Sequence, residues 1–291
     1  MRVRKAVFPV AGLGTRLLPA SKVVPKEMLP IIDRPLVQFA VDEAIEAGCD
    51  TLIFVINRHK RAIADHFERA HELEARLEKS GRPDLLALVR EVVPAHVRTV
   101  FVTQSEPLGL GHAVLCAQHA VGEEPFAVLL PDDLIWNRDG PGALKQMVDR
   151  ATELEASVIA VEDVPRSETS RYGIVSADPS DGPCARIRAI VEKPKPDVAP
   201  STLGVVGRYV LEPRVLKLLE RTKPGAGGEI QLTDAIAALI DERAVYALRF
   251  SGRRFDCGNK LGVVEATLAF ALEQPDIADA VRERVRAMLG V

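Results

Sequence analysis

The chain has 291 residues, 47% apolar and 27% charged, a length and balance that suit a globular protein with a substantial core. Its 38 Lys and Arg against 41 Asp and Glu leave a formal net charge of −3, which excludes a global basic field for nucleic acid or an anionic membrane. An anionic ligand has to be met by a local cluster of cations. No run of about 18 apolar residues is available to span a bilayer, and the start, "MRVRKAVFPVAGLG", lacks a small-residue cleavage site. Cys49, Cys116, Cys184 and Cys257 are never spaced as CxxC, which suits buried small hydrophobes in a reducing cytosol.

In chain order, Lys5–Gly12 reads as a continuously apolar strand, the kind buried on both faces of a parallel sheet. It runs into "PVAGLGTRLLPASKVVPKEMLP", Pro9 to Pro30, a cationic loop punctuated by prolines. A loop of that length inside a compact domain is either functional or disordered. "RPLVQFAVDEAIEAGC" then predicts a helix with Pro35 in its first turn, Leu36, Val37, Ala40, Val41, Ala44 and Ile45 on one face, and Gly48 at its cap. Asp50–Asn57 is a second apolar strand, which completes a right-handed βαβ unit. Arg61–Val93 is charge-rich and helical, an exposed excursion with Glu72 and Arg76 at the supportive i,i+4 spacing. Arg98–Gln104 and Pro125–Asp133 are further strands around a helix near "GHAVLCAQHAV", and Ser157–Glu162 is a strand after a Leu- and Met-containing helix.

From about Tyr172 the texture changes to shorter strands, "YGIVSA", "RIRAIVEKP" and "TLGVVGRYVL", separated by turn residues such as "DPSDGP". Helices follow in "EPRVLKLLERTKPG" and "TDAIAALIDE", and two amphipathic segments start at Lys260 and Asp276. The fold class is α/β: a mostly parallel central sheet flanked by helices, a smaller mixed-β part attached to it, and C-terminal helices.

Loops at the carboxyl ends of strands in an open parallel sheet form its ligand crevice. In the first loop, Gly12 and Gly14 let backbone N–H groups approach an anion, and Arg16 and Lys26 supply a planar fork and a point charge for phosphate oxygens. The composition is that of a polyphosphate cradle. It is neither a Walker A loop nor the GxGxxG of a dehydrogenase, since the third glycine is missing. "PDDL" places Asp132 and Asp133 at the end of a buried strand, where they serve either as a turn and cap or as holders of a hard cation such as Mg2+. Asp256 in "FDCGN" would complete such a site with Asp132 only if the fold brings the two together. The six histidines show no metal-ligand spacing, and His112 reads as a helix-start residue.

The motifs "AGLGTRLLPASKVVPKEMLP", "GLGHAVLCA", "LLPDDLI", "RYGIV", "VEKPKP", "GEIQLTDAI" and "FDCGNKLG" run in order from Ala11 to Gly262. Together they resemble the bacterial UTP–glucose-1-phosphate uridylyltransferases, also called UDP-glucose pyrophosphorylases, within the sugar nucleotidyltransferase family. The resemblance implies a Rossmann-like nucleotidyltransferase fold in a single domain over 1–291. Its nucleotide-binding core would cover 1–160, its sugar-phosphate part 161–257, and its C-terminal helices 258–291. It implies that UTP and glucose 1-phosphate give UDP-glucose and pyrophosphate with Mg2+. Ala11, Gly12, Gly14 and Arg16 would wrap the triphosphate and Lys26 would bind its phosphates. Gln104 and the backbone near Gly109 would read uracil, and Asp132 and Asp256 would hold the metal. Gly173, Glu192 and Lys193 would hold the sugar phosphate, with Glu229 shaping that pocket. The same resemblance implies a cytoplasmic homodimer or homotetramer. Two alternatives stay open: a thymidylyltransferase acting on the same sugar phosphate, and a catalytically silent nucleotide-sugar-binding regulator.

Overall fold

The computed structural model describes residues 1–290, apart from the side chain of Ala226. The first half alternates strand and helix: β1 (Lys5–Pro9), a short hairpin of β2 (Pro30–Ile31) and β3 (Arg34–Pro35), α1 (Leu36–Glu46), then β4 (Thr51–Ile56). Pro35 caps α1 and Gly48, at φ +93°, ends it, as the sequence predicts. The excursion forms α2 (Arg61–Phe67), α3 (His71–Lys79) and α4 (Pro83–Arg90). β5 (Arg98–Thr103), α5 (Leu110–Cys116), α6 (Gln118–Val121), β6 (Phe126–Leu129), β7 (Asp133–Trp136) and α7 (Ala143–Leu154) follow.

The second half contributes β8 (Ser157–Asp163), β9 (Gly173–Ala177), β10 (Cys184–Glu192) and β11 (Leu203–Leu211). After them come α8 (Arg214–Leu219), α9 (Leu232–Glu242), β12 (Val245–Arg249), β13 (Arg253–Asp256), α10 (Lys260–Ala271) and α11 (Ala278–Leu289). Nine strands share one sheet in the order β5-β4-β1-β6-β11-β8-β12-β10-β9. β1, β4, β5, β6, β8, β9 and β12 run one way, with β10 and β11 against them. The mixed part is therefore no separate layer but the continuation of the parallel sheet across β11.

Both faces are covered because β1 and β4 are apolar after their first residues, Lys5 and Thr51. Ala6 and Phe8, with Leu52 and Phe54, pack under α1 and α7; Val7, with Ile53 and Val55, packs under α5, α8 and α9. Phe54 stacks between Phe8, Phe67 and Phe101, with ring centroids 4.9, 4.8 and 5.3 Å away. A smaller cluster of Ile31, Leu36, Leu134, Phe255, Cys257 and Ala266 ties the β2–β3 hairpin, the β7–β13 pair and α10 together.

Two expectations change. The Glu72–Arg76 pair is not among the ion pairs of the described residues; instead Glu74, only 3% exposed, takes Arg69 and Arg90. Packing of α4 on α3 brings Arg90 across the helices, and a buried carboxylate with two guanidinium partners outcompetes an exposed pair along one helix. The second concerns α10, which is not amphipathic in the expected sense. It buries Gly262 and Ala266 against β13, while Leu261 and Val264 are 67% and 62% exposed. No helix among the described residues is long and apolar enough to cross a membrane.

Candidate active site

The loop after β1 is ordered by three short 3-10 turns, Thr15–Leu17, Ala20–Lys22 and Lys26–Met28. Asn57 donates to the Ala11 carbonyl at 2.6 Å and Ser21 to that of Gly14 at 2.7 Å. Gly14 is needed as glycine: its φ is +66°, and a Cβ there would sit 3.2 Å from that of Lys26. Beneath the loop, Lys60 donates to Glu27 at 2.6 Å, and both side chains are at most 5% exposed. Burial pushes the Glu27 carboxyl upward, against the pull of Lys60 and Lys26. This buried pair fixes the backbone from which Lys26 projects.

Lys26 Nζ lies 2.5 Å from Asp132 Oδ2. Burial works against the Lys26 ammonium, but Asp132 and Glu27 outweigh it and hold it above its usual range. Burial likewise opposes the Asp132 carboxylate, and the Lys26 charge and hydrogen bond hold it below the usual value. Asp133 takes a different route because β6 ends at Leu129. Its Oδ2 accepts from Gly207 N at 2.8 Å and its Oδ1 from Arg254 Nε at 2.7 Å, inside a network that also joins Arg254 to Glu162. Gly207 lies in a bulge of β11 between Val205 and Tyr209, and a Cβ there would meet Leu130 Cβ at 2.6 Å and Asp133 Oδ2 at 2.7 Å.

β13 pairs with β7 so that Asp256 stands opposite Asp133, and Cys257 N donates to the Asp132 carbonyl at 2.7 Å. Asp132 and Asp256 are thereby brought together. A Cβ placed on Gly258 would lie 3.0 Å from Asp256 Oδ1, 3.1 Å from Asp132 Oδ2 and 3.2 Å from Arg16 Nη2. Arg171 donates to Asp256 Oδ2 at 3.1 Å. Two carboxylates opening on one point form an oxygen-donor set of the kind a hard divalent cation takes. Burial, with Asp132 and Asp256 close by, pushes the Cys257 thiol up to about 12.

The aspartates open on a cavity of about 460 Å³ that also presents Arg16, Gly173, Glu192, Lys193 and Arg171. Thr233 donates to Glu192 Oε2 at 2.6 Å and Lys193 Nζ is 3.1 Å from Glu192 Oε1. Lys193, at φ +46°, turns the chain as β10 ends. Gly173 is the register partner of Glu192, and a Cβ on it would touch Glu192 Oε2 and Thr233 Oγ1 at 3.4 Å. A second cleft, of about 410 Å³, meets the first at Leu110 and is lined by Ala11, Gly12, Gly14, Gln104, Gly109 and Glu229. Glu229, expected beside the sugar phosphate, lines this second cleft: a Cβ on Gly109 would lie 2.7 Å from its Cβ. Gln104 is buried, its amide nitrogen 3.2 Å from the Gly109 carbonyl and 2.9 Å from His112 Nδ1.

Arg171, Thr233 and Arg254 line the first cleft without having been singled out in the sequence, though each lies within two residues of an expected one or inside a quoted motif, and His112, read as a helix-start residue, stands beside Gln104. The available signal was motif membership, which does not say which side chain faces the cleft.

The chain matches the model of the nucleotidyl transferase family over residues 5–274. It is 47% identical over 290 residues to the UTP–glucose-1-phosphate uridylyltransferase of Bacillus subtilis (strain 168), covering 99% of this chain and 98% of that protein. Among solved structures it is similar to the UTP-bound UGPase from Acinetobacter baumannii, with 46% identity, a TM-score of 0.91, and 98% and 99% of the two chains covered. It is also similar to a UDP-glucose pyrophosphorylase complexed with UDP-glucose, with 40% identity, a TM-score of 0.85, and 94% and 100% covered.

Proposed function

The chain belongs to the nucleotidyl transferase family, and on that premise we propose that its two joined clefts hold UTP and glucose 1-phosphate on either side of the Arg16–Asp132–Asp256 cluster. The enzyme transfers the uridylyl group of UTP to glucose 1-phosphate, giving UDP-glucose and pyrophosphate. The observation that carries the residue assignments is the convergence of Asp132, Asp256 and Arg16 on Gly258, where the phosphate-loop side meets the sugar-phosphate side.

A phosphate oxygen of glucose 1-phosphate, already ionised near neutral pH, attacks the α-phosphorus in line, and pyrophosphate leaves. No general base is required. The barrier is repulsion between two anions and the charge spread over the transition state, which positioned cations lower. Backbone N–H groups at Ala11, Gly12 and Gly14, with Arg16, wrap the triphosphate. Lys26 stands beside Asp132 to meet the phosphates. Gln104 and the Gly109 backbone meet uracil in the second cleft, with Glu229 forming the wall behind Gly109. Lys193 neutralises the sugar phosphate, while Glu192, held by Thr233, and Gly173 meet the sugar hydroxyls. Asp132 and Asp256 fit Mg2+, which when bound would add positive charge at the phosphates. The phosphorylated substrates fit the cytoplasm, and the exposed Leu261 and Val264 of α10 fit assembly as a homodimer or homotetramer.

Pyrophosphate release by the purified protein with glucose 1-phosphate tests this reading. Release with UTP that is lost when the divalent metal is chelated is expected. A preference for dTTP would move the assignment to a thymidylyltransferase, and release unaffected by chelation would remove the metal from Asp132 and Asp256.

A further inference from the structure

Resting on the reading of the first loop as the triphosphate cradle, we propose that Asn57 is the positioning residue that turns this cradle toward the nucleotide: it takes the Ala11 carbonyl and so aims the Gly12 N–H into the second cleft. A loop that holds a polyanion has to present N–H groups and send its carbonyl oxygens elsewhere. In a trans peptide the C=O and N–H of one unit point in opposite directions. Whatever holds the Ala11 carbonyl therefore sets the direction of the Gly12 N–H.

Asn57 follows β4 directly, and its side-chain amide is fixed in one orientation. Nδ2 lies 2.6 Å from the Ala11 carbonyl oxygen, which only accepts, and Oδ1 lies 2.8 Å from the backbone N–H of His59, which only donates. The clefts divide accordingly. Ala11 lines two of them: Asn57 lines the one of about 470 Å³ beside the ends of β4 and β5, whereas Gly12 lines the one of about 410 Å³ that holds Gly14, Gly109 and Glu229. The carbonyl and the N–H of the Ala11–Gly12 peptide thus face different clefts. Among the described residues, a Cβ on Gly12 would meet nothing within 4 Å, so packing at Gly12 does not set this direction. The Gly14 carbonyl is held likewise, by Leu17 N at 3.1 Å and Ser21 Oγ at 2.7 Å, and Thr15, whose N–H belongs to that peptide, lines the same cleft as Gly12. There the loop holds its own carbonyl. At Ala11 the hold comes from another segment.

The turn that carries Asn57 is itself anchored. Lys60 N donates to the Asn57 carbonyl at 3.0 Å, and the Lys60 ammonium donates to Glu27 at 2.6 Å beneath Lys26. The short turn from Asn57 to Lys60 therefore grips the loop near both ends, at Ala11 and at Glu27.

The test measures UTP and uridine binding by NMR titration in the wild type, Asn57→Leu and Asn57→Ala, following the Gly12 amide, with pyrophosphate release in parallel. Leucine keeps the approximate shape of asparagine without its donor, and neither variant adds charge. A hydrogen bond to a charged group is worth about ten- to a hundredfold in affinity, so UTP affinity should fall about tenfold or more in both variants while uridine affinity stays within about twofold. The Gly12 amide proton should move downfield when UTP binds the wild type, and much less in the variants. UTP affinity within about twofold of wild type in a folded variant would overturn the proposal. So would an equal loss of UTP and uridine affinity, which is the mark of loop packing alone. A Gly12 amide that UTP leaves unmoved in the wild type would overturn it with no variant needed. Wild-type protein that binds uridine as tightly as UTP would defeat the cradle reading and the proposal with it. The expected binding ratios and Gly12 shift without pyrophosphate release would defeat the transferase reading alone and support Asn57 in its role.

Discussion

Lys26 and Asp132 lie 106 positions apart and meet at 2.5 Å, and most of the proposed chemistry depends on such long-range pairs. Removing a positioned cation from a charge-developing site typically costs about 100- to 1,000-fold in rate. Lys26→Ala should therefore lower kcat/KM by that order, with a circular dichroism spectrum unchanged from wild type. A loss under about fivefold would place Lys26 outside the phosphate cradle. Gly258 tests the paired carboxylates without deleting either one. Gly258→Ala would push a methyl group among Asp256 Oδ1, Asp132 Oδ2 and Arg16 Nη2, each within 3.2 Å of it. Half-maximal activity should then need several-fold more divalent metal, while the thermal midpoint barely moves. At this scale the residue pattern named Asp132 and Asp133 alike, and only the family resemblance singled out Asp132. The separation comes from where β6 stops, which sends Asp133 to Gly207 and Arg254 and leaves Asp132 with Lys26.

Elements place these residues through close backbone contacts that leave no room for a side chain. Gly262 opens α10 against the end of β13, and a Cβ on it would lie 1.9 Å from the Asp256 carbonyl oxygen. The helix would have to move off the strand. Gly262→Ala should cost about 3 kcal/mol or more and lower the thermal midpoint by roughly 5 °C or more, an outcome that calorimetry can check. A midpoint within a degree of wild type would mean the contact yields easily.

The excursion helices dock on α1 partly through His66, whose Nε2 is 2.9 Å from Gln38 Oε1, with Gln38 in turn donating to Asp42 and the Val92 carbonyl. Burial holds the His66 imidazole below its ordinary range. The unfolded chain then binds the proton first, so the contribution is full above the unfolded value of about 6.5 and is lost as pH falls through the folded value. The urea midpoint should drop from pH 7.5 to pH 5.5 more steeply in wild type than in His66→Gln. Equal slopes would assign the acid loss to other groups. The helical character of Arg61–Val93 was legible in the sequence, but its division into α2, α3 and α4 was not, nor were the strands β7 and β12. The packing of α4 on α3, and with it the exchange of Glu72–Arg76 for the Glu74 cluster, was not legible either.

For the whole molecule, α10 leaves Leu261, Val264 and Leu268 exposed although the smaller residues of the same helix are buried. Sedimentation of wild type should show a dimer or tetramer, and Leu261→Asp with Val264→Asp should reduce it to a smaller species. A mass unaffected by both changes would move assembly to another face. The sequence by itself determined the apolar strands, the glycine-rich loop, the order of the motifs and through them the family. These are local patterns: covering both faces of a strand demands unbroken apolar runs, and tight backbone turns demand glycine. Tertiary structure alone decided that β11 joins the two halves of one sheet, that β13 carries Asp256 to Asp132, and that His112 faces Gln104. Each of these is a pairing of segments whose separation in the chain leaves no periodic trace, since strand register and side-chain direction are settled only when the faces pack.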